Sequence, residues 1–458
     1  MNLHRLLLRR AAEGNPVRVL LIGAGKFGSM YLAQARVTPG IHIAAIADLS
    51  PQLARDALAR TGWPAQQYAA STLAEALKSG MTLLTDDAEA MIRAHGIEVV
   101  IDATGSPGAG IRHALACAEH GKHVVMVNVE ADALAGPLLA QTCADAGVVY
   151  SLAYGDQPAL ICEMVDWARA AGFEVVGAGK GTKYLPGYHQ STPETVWAHY
   201  GFTPEQVEAG HFNAQMFNSF LDGTKSAIEM AAVANATGLT PAPEGLLFPP
   251  CGVDDLARVL RPVAAGGQLH HAGQVEVISS LERDGRPVFR DLRWGVYVSF
   301  APAGASQGEY VERCFKEYGL VTDPSGHYTV MYKPCHLIGL ELGISVASVA
   351  LRQEPTGVPS AWLGDVVATA KRDLVPGEML DGEGGHTVYG RLMPAADSLG
   401  CGGLPIGLAH QVKLKHAVAQ GAPVRWQDVD ADLSSQAVTV RREMERCFSS
   451  AGPEGSEL

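Results

Sequence analysis

The sequence predicts an α/β chain in three parts: a doubly wound parallel sheet over residues 1–150, an α+β region over 151–350, and a small β-rich region over 351–450. Three observations carry this. Aliphatic and β-branched runs at 17–22, 41–47, 98–104 and 123–128 alternate with helical patterns, as in β-α-β units whose strands are buried on both faces. A proline-rich crossing, Gly238–Pro262, then breaks that alternation, and strand patterns follow it directly. From residue 365 to 430, short strand patterns are separated by glycine and proline turns.

Length and composition set outer bounds. At 458 residues two or three domains are expected, and 47% apolar against 18% charged residues describes a chain that folds and buries large cores. The net charge of −13 makes nucleic acid an unsuitable partner. A small phosphorylated substrate stays open, because a pocket needs only one or two local cations. The eight cysteines form no C-x-x-C pair, so neither a zinc knuckle nor a dithiol motif is expected, and a reducing cytoplasm fits. No run is long and apolar enough to span a membrane. The leader "MNLHRLLLRRAAEG" has too short an apolar core for a signal peptide and reads as an amphipathic helix packed on the body.

Taken in order, the strand 17–22 runs into Gly23-x-Gly25-x-x-Gly28, with Lys26 and Phe27 inside the turn, and a helical pattern follows. In that context Gly23 permits the tight turn, Gly25 lets a pyrophosphate approach the backbone, Gly28 allows close helix packing, and the helix N-terminus offers free N–H groups. The second strand ends at Asp48, 20 residues after Gly28, where an acid grips ribose hydroxyls. Together these predict a Rossmann domain binding NADH or NADPH. Asp48 favours NAD, while Ser50 and Arg55 lie close enough in sequence to take a 2′-phosphate if Asp48 moves. The later strands close with "TGSPGAG" and "NVEAD", and such strand-end loops line the cofactor crevice. Thr104, Gly105 and Asn128 are therefore candidate neighbours of the nicotinamide.

The pattern "GAGKFG", "DATGSP" and "VMVN", followed by Gly181-Thr-Lys-Tyr184, resembles the homoserine dehydrogenase superfamily, whose substrate domain opens on a similar turn. Asn128 is followed by Val129 and Glu130 where homoserine dehydrogenases carry a lysine, and their acidic substrate-binding cluster is not recognisable, only Asp222 and Lys225 resembling that region, which counts against an amino-acid substrate. The whole chain is closer to the deoxyxylulose-phosphate reductoisomerase-like oxidoreductases of that superfamily. That resemblance implies NADPH, a divalent Mg2+ or Mn2+, and conversion of 1-deoxyxylulose 5-phosphate to 2-C-methylerythritol 4-phosphate. The segment "AKRDLVPGEML…LPIGL…GAPVRWQDVD" resembles the SAF domain of sialic acid synthases and flagellar chaperones, which implies a part that buttresses or caps the substrate domain.

Carbonyl reduction needs a proton donor beside the hydride donor. Lys180, Lys183, Tyr184, Tyr188 and His189 crowd into ten residues with Gly and Pro between them, and a turn-rich loop so equipped reads as a site. Lys183 is the first candidate for proton transfer, with Lys180, Tyr184, His189 and Gln190 as substrate contacts; an ordinary solvated loop is the plain alternative. Residues 211–234 read as one long helix with Asn218, Asp222, Lys225 and Glu229 in a polar stripe. The stripe is either a wet face with an Asp222–Lys225 ion pair or a cleft face with Lys225 as general acid tuned by Asp222 and Asn218 in contact. Asp156 and Gln157 before Pro158 suit a helix N-cap, with a metal as the lesser alternative. The histidines 189, 199, 211, 270 and 271 show no metal-ligand spacing, and the metal ligands stay unassigned. The expectation is an NAD(P)-dependent oxidoreductase acting on a small, phosphorylated polyhydroxy carbonyl compound, as a homodimer or higher homo-oligomer. A sugar-acid or alcohol dehydrogenase, a homoserine-dehydrogenase-like enzyme, and a non-catalytic dinucleotide sensor are the alternatives.

Overall fold

A computed structural model describes residues 2–210 and 212–449, so His211 lies outside the described residues. The chain divides into two compact units: Met1–Glu163 with His336–Ser360, and Met164–Cys335 with Ala361–Leu458. This differs from the three parts read from sequence, because residues 336–360 return to the first unit and the β-rich segment shares a body with the α+β region. Among the described residues, no helix is long and apolar enough to cross a membrane.

The first unit is the predicted doubly wound sheet. Strands β1 (Val17–Ile22), β2 (Ile41–Ala47), β3 (Leu83–Thr85), β4 (Val99–Asp102), β5 (His123–Met126) and β6 (Tyr150–Leu152) lie in the order β3-β2-β1-β4-β5-β6, and every pairing is parallel. That order reverses between β1 and β4, which opens a crevice at their carboxyl ends. The leader is a helix, Leu3–Ala12, whose Leu3 and Leu7 join a core with Leu342, Val346 and Val349 of the returning segment. Arg10 clamps it down with a bidentate ion pair to Glu98 at 2.9 and 2.7 Å.

The second unit is built on a four-stranded mixed sheet. Strands β7 (Phe173–Thr182), β8 (Gln274–Ser279), β9 (Val296–Pro302) and β10 (Thr329–Lys333) lie in the order β10-β9-β7-β8, with β8 parallel and β9 antiparallel to β7. Gly177, Gly179 and Gly181 alternate along β7 and so share a face. A Cβ on Gly179 would stand 1.7 Å from the Glu276 carbonyl oxygen, and one on Gly181 would stand 1.9 Å from that of Leu292. Lys180, read from sequence as part of a loop, therefore sits inside a strand on the opposite face.

The long helix expected over 211–234 is two helices, Ala214–Leu221 and Thr224–Thr237. Gly223 breaks it at φ 91°, and the Asp222 side chain accepts the Thr224 N–H at 2.9 Å. The remaining strands, β11 (Gly364–Ala370), β12 (Met379–Asp381), β13 (Val388–Pro394), β14 (His410–Leu414) and β15 (Val429–Asp430), form two small antiparallel sheets, β11-β13 and β12-β14-β15.

Candidate active site

The glycine turn of the first unit has the shape its sequence predicts. Gly23 has φ 96°, and a Cβ there would lie 2.6 Å from the Ala103 carbonyl oxygen; one on Gly28 would lie 2.5 Å from that of Gly23. At Gly25 a Cβ would meet nothing within 4 Å, and this residue is the N-cap of the helix Lys26–Ala35, which begins with Lys26 and Phe27. Two glycines are thus demanded by packing, while the third leaves room above a helix N-terminus, which suits a pyrophosphate. Asp48 is held on both oxygens, accepting the Ala24 N–H at 2.8 Å and the Ser50 N–H at 2.9 Å. Arg55 instead lies over the Tyr68 ring. These residues fit a nicotinamide dinucleotide.

The strand-end loops have more internal structure than the sequence disclosed. Asn128 is buried, caps the helix Val129–Asp145 through the Ala131 N–H at 3.1 Å, and donates from Nδ2 to the Ser106 carbonyl at 2.8 Å and to Thr104 Oγ1 at 3.2 Å. Gly105 adopts φ 66° between them. Buried Asp102 ties this loop together, accepting the Thr104 N–H and Oγ1–H and facing His113 Nδ1 at 2.5 Å. Neither Asp102 nor His113 stood out in the sequence, since each sits inside a regular strand or helix pattern. Buried Asp156 stands just before the helix Gln157–Ala170 and accepts the N–H of the adjacent Gln157 at 2.9 Å.

In the second unit the expected site residues separate into three groups. His189 and Tyr184 meet: the Tyr184 hydroxyl lies 2.8 Å from His189 Nε2, and His189 Nδ1 lies 2.7 Å from the Asp222 carbonyl oxygen. A carbonyl only accepts, so Nδ1 carries the proton and Nε2 is the basic nitrogen. Burial lowers the His189 pKa below the ordinary imidazole value, and Lys371 and Arg391 lower it further against the pull of Asp222; the ring is neutral at pH 7. Burial pushes the Tyr184 pKa up to about 12. The Tyr184 ring stacks on Phe248 with centroids 3.9 Å apart, and Phe248 is held at φ 50°, a conformation that costs a bulky residue about 1–3 kcal/mol. Buried Glu276 fixes that turn by accepting the Leu247 and Phe248 N–H groups, and burial raises its pKa to about 7.

His189 lines an open pocket of about 200 Å³ with Gly223, Glu244, Phe248, Tyr389 and Arg391. The second group lies in the polar stripe, which is not a wet face: Asn218, Asp222 and Glu229 are all buried. Lys180, also buried, makes an ion pair with Glu229. Asn218 bonds Ser191 and the Gly384 carbonyl. The expected Asp222–Lys225 pair is replaced by Asp222–Lys371 at 2.8 Å, with Lys371 also donating to the Ser191 and Gly385 carbonyls at 2.7 Å. The i, i+3 pairing needed one continuous helix, and the break at Gly223 removes it; Lys225 is partly exposed. The third group is Lys183 and Gln190. Lys183 Nζ donates to the His199 carbonyl at 2.5 Å and sits over the Tyr200 ring, with its pKa lowered by burial and by Arg293; Gln190 is exposed. Among the described residues no three His, Cys, Asp or Glu side chains converge as metal ligands, so the residues present do not fit a protein-held Mg2+ or Mn2+.

Residues 155–342 match the model described as "Oxidoreductase DRL, catalytic domain", and residues 17–127 match "Oxidoreductase family, NAD-binding Rossmann fold". No curated protein matches the sequence. Among solved structures, an oxidoreductase from Agrobacterium radiobacter in complex with NAD+, L-tartaric acid and magnesium is 17% identical over 36% of this chain and 44% of its own, with a TM-score of 0.27. The WlbA dehydrogenase from Bordetella pertussis, in complex with NADH and UDP-GlcNAcA, is 18% identical over 37% of this chain and 44% of its own, at 0.26. The putative oxidoreductase yvaA from Bacillus subtilis is 12% identical over 75% of this chain and 91% of its own, at 0.36. This chain spans less than half the length of the first two. Two segments of the chain are thus similar to oxidoreductase domains, the first of them an NAD-binding Rossmann fold.

Proposed function

We propose that this oxidoreductase interconverts the alcohol and carbonyl forms of a small polyhydroxylated compound, phosphorylated in the narrower version, with His189 exchanging the proton. The observation that supports it is the line from the Tyr184 hydroxyl through His189 to the Asp222 carbonyl on the wall of the pocket. Bound at the Gly23–Gly28 turn, the nicotinamide supplies or accepts the hydride. Asp48, anchored on both oxygens at the end of the second strand, stands where an acid grips ribose hydroxyls and opposes a 2′-phosphate, which favours NAD over NADP.

The chain's own residues do the rest. An alcohol hydroxyl that takes the place of the Tyr184 hydroxyl at His189 Nε2, the neutral and basic nitrogen, gives its proton there, and the resulting imidazolium releases it to solvent through the open pocket. In the reducing direction the protonated Nε2 gives that proton to the carbonyl oxygen. Phe248 and Tyr389 enclose the imidazole and keep it poorly solvated. The rearrangement of 1-deoxy-D-xylulose 5-phosphate calls for a metal across two adjacent oxygens, and since the residues do not fit one, simple alcohol–carbonyl exchange is the version the site supports. Each of the eight cysteines is a thiol outside any disulfide, which agrees with a reducing cytoplasm.

The test is nicotinamide absorbance with NADH or NADPH and a panel of small hydroxy-aldehydes, ketoses and their phosphates. Turnover is expected with at least one, falling about 100-fold in kcat in His189→Asn while the fold and NADH affinity hold; Lys183→Ala should stay within a few-fold of the parent. Equal turnover in His189→Asn removes the assigned role, and a parent inert across the panel removes the substrate class.

A further inference from the structure

The wall of the pocket opposite Phe248 comes from β13, in the β-rich segment expected only to buttress. Tyr389 and Arg391 are two apart and so project from one face of the strand, the face toward the pocket. Gly390 between them points the other way: a Cβ there would lie 2.7 Å from Val366 Cγ1 and 2.9 Å from Thr224 Cγ2. The Gly390 N–H also donates to Thr224 Oγ1 at 2.8 Å. The strand is thus locked to the helix Thr224–Thr237, and its two pocket residues have fixed bases.

Tyr389 stacks on His189 with centroids 4.4 Å apart and planes 22° apart. Arg391 is poorly paired. Its Nη2 reaches the Glu244 carbonyl at 3.2 Å and the Glu244 carboxylate at 3.4 Å, and that side chain is 86% exposed. A pair so long and so wet holds weakly. Among the described residues, Arg391 Nε and Nη1 meet no acceptor. The other carboxylate close by, Asp222, is already neutralised by Lys371, so among the lining residues Arg391 is the cation and the exposed Glu244 the anion.

We propose that Arg391 anchors an oxyanion of the substrate, a phosphate or a carboxylate, and that Tyr389 spaces this anchor from the hydroxyl presented to His189. With Nε and Nη1 free and Nη2 held only by the long contacts to Glu244, a guanidinium matches either group bidentately once Nη2 turns from Glu244 to the ligand. The pocket, about 200 Å³, is smaller than the roughly 300–1,000 Å³ of drug-sized sites and suits a short hydroxylated acid or phosphate ester. This rests on the proposed redox role of His189 for the reacting end only.

Calorimetric titration with inorganic phosphate and, separately, acetate tests the anchor without turnover. Parent protein should bind at least one of them, the better ligand naming the oxyanion. Arg391→Gln should weaken it by about tenfold or more, Arg391→Lys should recover part, and NADH affinity and melting should match the parent in both. With a turned-over substrate, Arg391→Gln should raise KM and leave kcat within a few-fold. Binding unchanged in Arg391→Gln, or absent from the parent for both ions, overturns the anchor. If His189→Asn abolishes turnover while Arg391→Gln leaves KM alone, the anchor fails and the redox reading stands. If ion binding needs Arg391 but no alcohol or carbonyl compound is turned over, the reverse holds.

Discussion

At Asp132 the carboxylate is fully buried: one oxygen accepts the Tyr150 hydroxyl at 2.8 Å and the other has no hydrogen-bond partner. Burial raises its pKa from 3.8 to about 7, with Tyr150 pulling the other way. A carboxyl whose folded pKa lies above its unfolded value stabilises the fold fully below the unfolded pKa, and that contribution is lost as pH rises from about 4 through about 7. At the conversion of 1.36 kcal/mol per unit the loss is about 4 kcal/mol. Asp132→Asn should therefore raise the urea midpoint at pH 8 and leave it unchanged near pH 4; equal shifts at both pH values would contradict this. Nothing in "NVEAD" marks Asp132 as buried, since its environment is made by Tyr150 and Gly136. The glycines at 23, 25 and 28 were legible because their reasons are local. The partner of Asp222 was not, because Lys371 arrives from a distant strand.

Among the elements, the helix Gln436–Ser449 buries an ion pair beside its apolar Val438, Val440 and Met444. Arg441 makes a bidentate pair with Asp365 of β11 at 2.9 and 2.6 Å, bonds Glu445 at 2.8 Å, and lies 4.9 Å from the Trp362 ring centroid. Breaking one side of such a pair leaves an uncompensated charge and costs about 3–5 kcal/mol, whereas replacing both sides with apolar groups costs far less. Asp365→Ala should lower stability by that amount in chemical denaturation, and Asp365→Leu combined with Arg441→Met should recover most of it; a double variant no better than the single would show that the pair itself is worth its burial. At this scale β1, β2, β4 and β5 were readable from their aliphatic runs, while β7, whose Lys180 reads as part of a loop, was not. The helix over 211–234 was not, because a polar stripe at helical spacing runs straight across a glycine whose φ of 91° ends one helix and starts the next. That stripe is buried, while apolar Met216 is exposed, so the usual link between polarity and solvent is inverted by partners that only the folded chain brings near.

For the whole molecule, the division of labour follows from which segments form each unit. The first unit is a dinucleotide fold completed by residues 336–360, and the second carries the Tyr184–His189 pair, with β13 supplying Tyr389 and Arg391 to its pocket. Sequence order separated the β-rich segment from the α+β region; the shared body arises because Lys371 and Gly384 satisfy polar groups on the helices at 214–237, contacts with no local signature. The cofactor is the claim on which the redox reading stands, and Gly25 isolates it: a methyl group there meets nothing in the protein and intrudes only on a phosphate brought against the turn. Calorimetric titration of NADH and NADPH into the parent protein and Gly25→Ala is the direct measurement. The parent should bind both, NADH the tighter, and Gly25→Ala should bind about tenfold more weakly with unchanged melting. An intact parent that binds neither dinucleotide, or a variant that binds as tightly as the parent, contradicts the account.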